Sequence, residues 1–397
     1  MATNKEQNKL NVPHLRFPEF HGEWEKHGLS EYLDFKNGLN PDSKKFGKGI
    51  KFISVMDILN NPVITYDCIR ASVQATDAEI SSFSVEKGDI LFQRSSETLE
   101  DVGRANVYID DRVAVFGGFV IRGKKKANYN PLFFRYLLSS PYARKRIIPM
   151  GAGAQHFNIG QEGLSKVLLN FPSIEEQTKI ASLLHLLDER IATQSKLIEK
   201  LESLIKGIVD CTILRKEKNA IIGDVCSISE QIRAEANIDD IITVRLHGNG
   251  VCKSSAENLQ LGATQYYRRR AGQLIYGKQN FHNGAIGIVP ISLDNGITSK
   301  DIPSFDIDEI KCNSVYLLAQ LQSPQYYKPA EALTTGTGSK RLKEETFLKM
   351  PIVLPNKREQ DNIAVLIHRA SMNLDHAKRL LELLSIQKQF LLRQMFI

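Results

Sequence analysis

From residue 173 onward, apolar side chains recur in alternating steps of four and three: Ile180, Leu184, Leu187, Ile191, then, past Gln194, Ile198, Leu201, Ile205 and Ile208. That spacing keeps one stripe on one face of a helix and is the seam of a coiled coil. Ser173 follows Pro172 and stands three residues before Glu176, a capping box that marks where the helix starts. A second stripe runs through Ile363, Ile367, Ala370, Leu374, Ala377, Leu381, Leu384, Leu391 and Met395, opened by Pro355 and by Asn356 with Glu359. Its small members, Ala370 and Ala377, fit close packing against the larger residues of the first stripe. Each helix is expected to run about 40 residues, or about 60 Å at 1.5 Å per residue. The economical arrangement pairs the two antiparallel within one chain, with a globular domain at either end. Burial of each stripe in a separate bundle or against a partner subunit is the alternative.

Before each stripe the period shortens to that of strands. Residues 29–171 and 221–354 hold short β-rich runs at 51–55, 89–93, 112–121, 240–244 and 272–276. Turn signals such as Lys87-Gly88-Asp89 and Asp294-Asn295-Gly296 separate them. Two short helices are predicted at corresponding places, 131–138 and 314–321. The fold class is therefore α+β with a mixed or antiparallel sheet in each domain.

The correspondence extends to the residues themselves. Residues 140–209 lie on 323–392 with a constant shift of 183 and no gap, matching Pro141 to Pro324, Gly153 to Gly336, Pro172 to Pro355, Gln177 to Gln360 and Leu197 to Leu380. Upstream, Lys87 to Phe92 resembles Arg270 to Tyr276 once one residue is inserted. Repeats of roughly 180 residues are domain-sized, far longer than solenoid units. The chain divides into a first domain at 1–172, a central long helix at 173–217, a second domain at 218–354 and a C-terminal long helix at 355–397.

Composition adds a compartment and a partner class. With 42% hydrophobic and 24% charged residues, the 397-residue chain reads as globular. Its five cysteines show no CxxC spacing, residues 1–11 are polar, and no apolar run approaches the roughly 20 residues that cross a bilayer. The expectation is a reducing cytoplasm, with no disulfide, zinc site or membrane span. The net charge of +7 is modest, but residues 112–161 contain no Asp or Glu while carrying Arg112, Arg122, Lys124, Lys125, Lys126, Arg135, Arg144, Lys145 and Arg146. Residues 258–293 repeat this more weakly with Arg268, Arg269, Arg270 and Lys278 beside Tyr266 and Tyr267. Two single-sign stretches in two related repeats point to a polyanion.

Catalytic motifs are missing. Asn61-Pro62-Val63-Ile64 lacks the second proline and the aromatic of an adenine-methylating tetrad, and there is no GxxxxGK[ST] phosphate cradle. Asp294 with Glu309 and Lys311 would suit a metal-dependent nuclease only as a permissive pattern, better read as a loop and an exposed ion pair. No metal-ligand spacing of histidines is present.

Two β-rich domains, each followed by a long helix opened by Pro-x-x-x-x-Gln, resemble the specificity subunit of Type I restriction-modification enzymes. The resemblance rests most on Gly151, Gln155, His156, Phe157, Asn158 and Ile159 through Pro172 to Gln177, and on the opening Pro13 to Phe20 followed by Trp24. The second join, from Gly336 to Gln360, departs from it in placing Lys340-Arg341 where the first has Phe157-Asn158. The resemblance implies a non-catalytic subunit with two target-recognition domains, each reading half of a split double-stranded DNA sequence. It also implies two methyltransferase subunits that methylate adenine with S-adenosylmethionine and two restriction subunits that use ATP and Mg, so the chain itself holds no cofactor. A stand-alone DNA-modifying enzyme and a protein-binding coiled-coil adaptor are the rivals. For phosphate contacts the candidates are Lys124, Lys125, Lys126, Arg144, Lys145 and Arg146. For base readout they are Arg94, Gln155, His156 and Asn158 in the first domain, and Arg268, Arg269, Arg270, Lys278, Lys340 and Arg341 in the second, since Asn and Gln suit adenine and Arg suits guanine.

Overall fold

The computed structural model describes residues 11–153, 155–254, 264–336 and 340–397. Most of the polar start, residues 258–263 of the second acid-free stretch, and Ala154 and 337–339 of the two joins lie outside the described residues. The chain forms two compact units, one of residues 1–194 with 380–397 and one of residues 195–379. Both boundaries fall inside long helices, so each unit owns part of each helix.

The central helix spans Ile174–Val209, 36 residues closed by a π-helical turn at Asp210–Leu214, and the C-terminal helix spans Lys357–Gln394, 38 residues. The stripes are inward in both units. Ile180, Leu184 and Leu187 are buried in the first unit with Leu384, Leu391 and Met395. In the second unit Val209, Ile213, Ile363, Ala364 and Ile367 form a cluster. Asp188 pairs with Lys388 at 2.5 Å, and Glu202 with Lys378 at 2.9 Å. Partner numbers fall as central-helix numbers rise, so the pairing is antiparallel, as the complementary stripes predict.

The capping boxes form only in half. Ser173 Oγ accepts from the Glu176 amide at 3.4 Å and Asn356 Oδ1 from the Glu359 amide at 3.0 Å. Neither carboxylate turns back to its own cap. Glu176 instead accepts from Arg16 Nε at 2.8 Å, Arg16 Nη2 at 2.7 Å and Trp24 Nε1 at 3.4 Å, and Glu359 pairs with Lys216. A buried carboxylate needs a charged partner more than a helix end needs a second hydrogen bond, and that preference decides Glu176.

The first unit contains a four-stranded antiparallel sheet ordered Leu33–Asn37, Val120–Lys125, Ile90–Gln93, Ala105–Val107. A second sheet, ordered Ser72–Val73, Phe46–Ile53, Ala114–Phe116, Ser84–Val85, has one parallel pair. The predicted run 112–121 is thus two strands, broken at Gly117-Gly118. There Gly118 lies so close to Asn40 that a Cβ would fall 1.8 Å from its Oδ1. The second unit repeats the first sheet in the same order: Cys226–Ile228, Ser304–Ile307, Leu274–Tyr276, Ile286–Ile288. The short helices appear at Pro131–Ser139 and Ser314–Leu321.

The repeated glutamine explains why the join is so constant. Gln177 is buried, accepts from the Asn130 amide at 3.1 Å and donates to the Pro172 carbonyl at 3.0 Å. Gln360 accepts from the Asn313 amide at 2.9 Å and donates to the Pro355 carbonyl at 2.8 Å. Each side chain ties its long helix to the start of the short helix of its own domain, satisfying backbone groups that would otherwise be buried unpaired.

Candidate nucleic-acid interface

The join before each long helix folds back on itself because a glycine permits it. Gly153 has φ +147°, and a Cβ there would meet the His156 carbonyl oxygen at 2.0 Å. Gly336 has φ +125° at the equivalent place. In the first domain this turn brings Ala152 and Asn158 into an antiparallel bridge, with both hydrogen bonds 2.9 Å. Thr335 and Arg341 form the same bridge in the second, at 3.0 and 2.9 Å.

Both bridges lean on the strand that follows the Lys-Gly-Asp-type turn. The Ile159 amide donates to the Arg94 carbonyl at 2.9 Å, and the Arg94 amide donates to the Phe119 carbonyl at 2.9 Å. In the second domain the Leu342 amide donates to the Lys278 carbonyl and the Lys278 amide to the Asp301 carbonyl, each 2.9 Å. The same three backbone segments are therefore laced together twice, and Arg94 occupies in one domain the place of Lys278 in the other.

The side chains on this scaffold differ. In the first domain Gln155, His156 and Asn158 are exposed. Asn158 Oδ1 accepts from the Ser95 hydroxyl, and Arg94, half-buried, donates through Nη1 to the Gly118 carbonyl at 3.2 Å. Beside them opens a mainly apolar cavity of about 450 Å³ lined by residues that include Phe46, Phe52, Met56, Ser95 and Phe119. In the second domain Arg341 faces Asp301 through two N···O approaches of 3.3 Å. Lys340 pairs with Glu331 at 2.9 Å, and half-buried Lys278 with Glu344 at 2.6 Å.

Three sequence expectations change. Arg269 is fully buried, 0% exposed, donating to Thr298 Oγ1 at 2.7 Å, Ser304 Oγ at 3.0 Å and the Ile302 carbonyl at 3.0 Å. Burial lowers its guanidinium pKa to about 10. It braces the domain from inside and is not a base reader. It lies just past the strand Tyr266–Arg268, where its amide donates to the Gly296 carbonyl at 2.7 Å and its side chain turns in onto Thr298 and Ser304, whereas Arg268 and Arg270 are exposed.

Second, Arg144 does not stand out as a surface charge. Its Nη2 donates to the Glu100 and Val102 carbonyls at 2.8 and 2.7 Å, and burial lowers its pKa to about 10. Lys125 likewise donates to the Tyr129 carbonyl at 3.1 Å and lies 4.8 Å from that ring.

Third, the acid-free span is not free of acids in space. Arg112 pairs with Asp67 and Asp110, Lys124 with Glu86 at 3.1 Å, and Arg135 with Asp188 at 3.2 Å. Lys126 is exposed, donating to the Ser30 carbonyl at 3.2 Å; Lys145 is exposed; Arg146 stacks on Tyr142 at 3.8 Å. Sequence reasoning passed over Ser95, Phe119 and Asp301. The signal for Phe119 is the preceding glycine pair, while Asp301 meets Arg341 only through the fold.

The family described as Type I restriction modification DNA specificity domain matches residues 21–203. At 25% identity over 210 residues the chain aligns with a Methanocaldococcus jannaschii protein named as putative type I restriction enzyme MjaX specificity subunit. That alignment covers 52% of this chain and 48% of the other, so the chain spans about half the length of the curated relative it matches. The crystal structure of the Type-I restriction-modification system S subunit from M. genitalium has a similar fold, with TM-score 0.65 and 14% identity over 97% of this chain and 99% of that one. Among the described residues no helix is long and apolar enough to cross a membrane. Over residues 21–203 the chain is similar to Type I restriction modification DNA specificity domains.

Proposed function

We propose that this chain is the sequence-reading subunit of a Type I restriction-modification complex, each domain contacting one half of a split double-stranded DNA target. The observation that carries this reading is the twice-built scaffold: identical backbone lacing at Arg94 and Lys278 presents different polar side chains, as two readers of two unlike half-sites require. The exposed basic residues Lys126, Lys145, Arg268 and Arg270 supply phosphate contacts, and the loops at 155–158 and 340–341 supply base contacts.

Chemistry is left to other subunits in this reading. Two methyltransferase subunits bring S-adenosylmethionine, and two restriction subunits bring ATP and Mg, in the cytoplasm. Exposed apolar residues on the outer faces of the long helices, such as Leu186, Leu383, Ile386 and Phe390, give the methyltransferase subunits a docking strip.

A methylome of cells expressing the chain with its partners tests this. Modified adenine within one split motif is expected. Methylation or cleavage by the isolated chain would favour a stand-alone enzyme, and DNA-independent, salt-insensitive association would favour a protein adaptor.

A further inference from the structure

The two domains carry a matched exchange at two equivalent positions. Asn158 corresponds to Arg341 by the shared bridge, and Phe119 corresponds to Asp301 by the shared hydrogen bond from the strand residue between them. Where the first domain offers an amide and an aromatic ring, the second offers a guanidinium and a carboxylate.

Each pair suits both bases of one base pair in the major groove. An Asn amide matches the N6 and N7 edge of adenine, and Phe makes apolar contact with the methyl group of thymine. Arg matches O6 and N7 of guanine, and Asp accepts from N4 of cytosine. The first combination is complementary to A·T and the second to G·C. The backbone ties are unchanged, so the exchange lies in the side chains alone, and in the second domain the two new groups face each other as an ion pair.

The local structure supports presentation of these groups. Phe119 is 68% exposed, an unusual state for a ring that lines an apolar cavity. Ser95 lines that cavity too and hydrogen-bonds Asn158 Oδ1, while Asn158 Nδ2 donates to the His156 carbonyl at 3.3 Å, so the exposed amide stands at the rim and exchanges these contacts for a base. Lys44 and Lys48, both exposed, flank Phe46 of the same cavity, giving an apolar cup with a basic edge, as a DNA surface needs. In the second domain the Arg341 and Asp301 side chains are 48% and 46% exposed, and only two of the five N–H donors of arginine need face the carboxylate.

We infer that residues 119 and 158 read one A·T pair of the first half-site, and that residues 301 and 341 read one G·C pair at the matching place of the second. This rests on the DNA-reading role proposed above and names the base chemistry of that same site.

The test uses the full chain with its methyltransferase partner, mapping methylated motifs and measuring binding to duplexes carrying the motif. The double substitution Phe119→Asp with Asn158→Arg should change one position of the first half-site from A·T to G·C and leave the second untouched. Asp301→Phe with Arg341→Asn should do the reverse in the second. Milder variants serve where a double variant unfolds. Arg341→Ala should reduce preference for G·C at one position by roughly 5- to 150-fold, the equivalent of about 1–3 kcal/mol. Replacing thymine by deoxyuridine at the read position should weaken binding of the parent protein, and Phe119→Leu should shrink that difference. Unchanged preference at every position, or a uniform loss on all sequences, overturns the inference. A parent protein that reads a split motif lacking such a pair overturns this inference alone. A parent protein with no split motif overturns the proposed function as well.

Discussion

Glu176 shows how much a single buried charge organises. It is 1% exposed at the start of the central helix, and its carboxylate holds Arg16 by two hydrogen bonds of 2.8 and 2.7 Å while accepting from Trp24. Trp24 in turn packs edge-on against Phe133 and Phe396, at 6.1 and 6.4 Å, so the charge anchors the centre of the first core. Removing one partner of a buried pair leaves the other uncompensated. Arg16→Ala should therefore lower the unfolding free energy of the first unit by about 3–5 kcal/mol. Urea unfolding followed by Trp24 fluorescence would measure it, since Trp24 is the sole tryptophan. A loss below about 1 kcal/mol, the range of an exposed ion pair, would show that the carboxylate is solvated there.

At the scale of elements, the two faces of one helix should behave oppositely. Leu184 is fully buried on the seam, and Leu186, two residues on, is exposed. Leu184→Ala should cost about 2–5 kcal/mol of stability by leaving a cavity. Leu186→Lys should stay within about 0.5 kcal/mol yet weaken co-purification with the methyltransferase subunit. Stable association of the Leu186 variant would remove that residue from the docking strip.

This contrast is legible in the sequence because helical periodicity records which side is inside, and the seam residues from Ile180 to Ile208 are all recoverable from spacing. The repeat is legible for a similar reason: Gly153, Pro172 and Gln177 meet backbone demands that few other residues can meet. The site is less so. Arg269 is flanked by arginines in sequence, and only its partners Thr298, Ile302 and Ser304, some thirty residues away, separate the buried one from the exposed pair. The charge of residues 112–161 misleads likewise, because Asp67, Glu86 and Asp188 reach it from distant parts of the chain. Linear charge density counts neighbours along the chain, whereas Coulomb interaction depends on distance in space.

For the whole molecule, the decisive property is the continuity of the long helices. Each runs without a break from one compact unit into the other, since the unit boundaries fall within them at residues 194–195 and 379–380. If the units read two half-sites, helix length is then the quantity that sets the gap between them. Four residues inserted near Gln194 would add about 6 Å of helix and rotate the rest of that helix by one revolution plus a small fraction. Coiled coils absorb a four-residue stutter by local unwinding, so folding should survive. The altered chain should select half-sites whose spacing differs by one or two base pairs, at about 3.4 Å each along a strand, with the half-site sequences unchanged. Methylome mapping of cells expressing the insertion variant with its partners reads both quantities at once. Because the loops proposed to read bases lie outside the helix that carries the insertion, a change in half-site sequence with the original gap would separate spacing from the helices and remove them as the ruler.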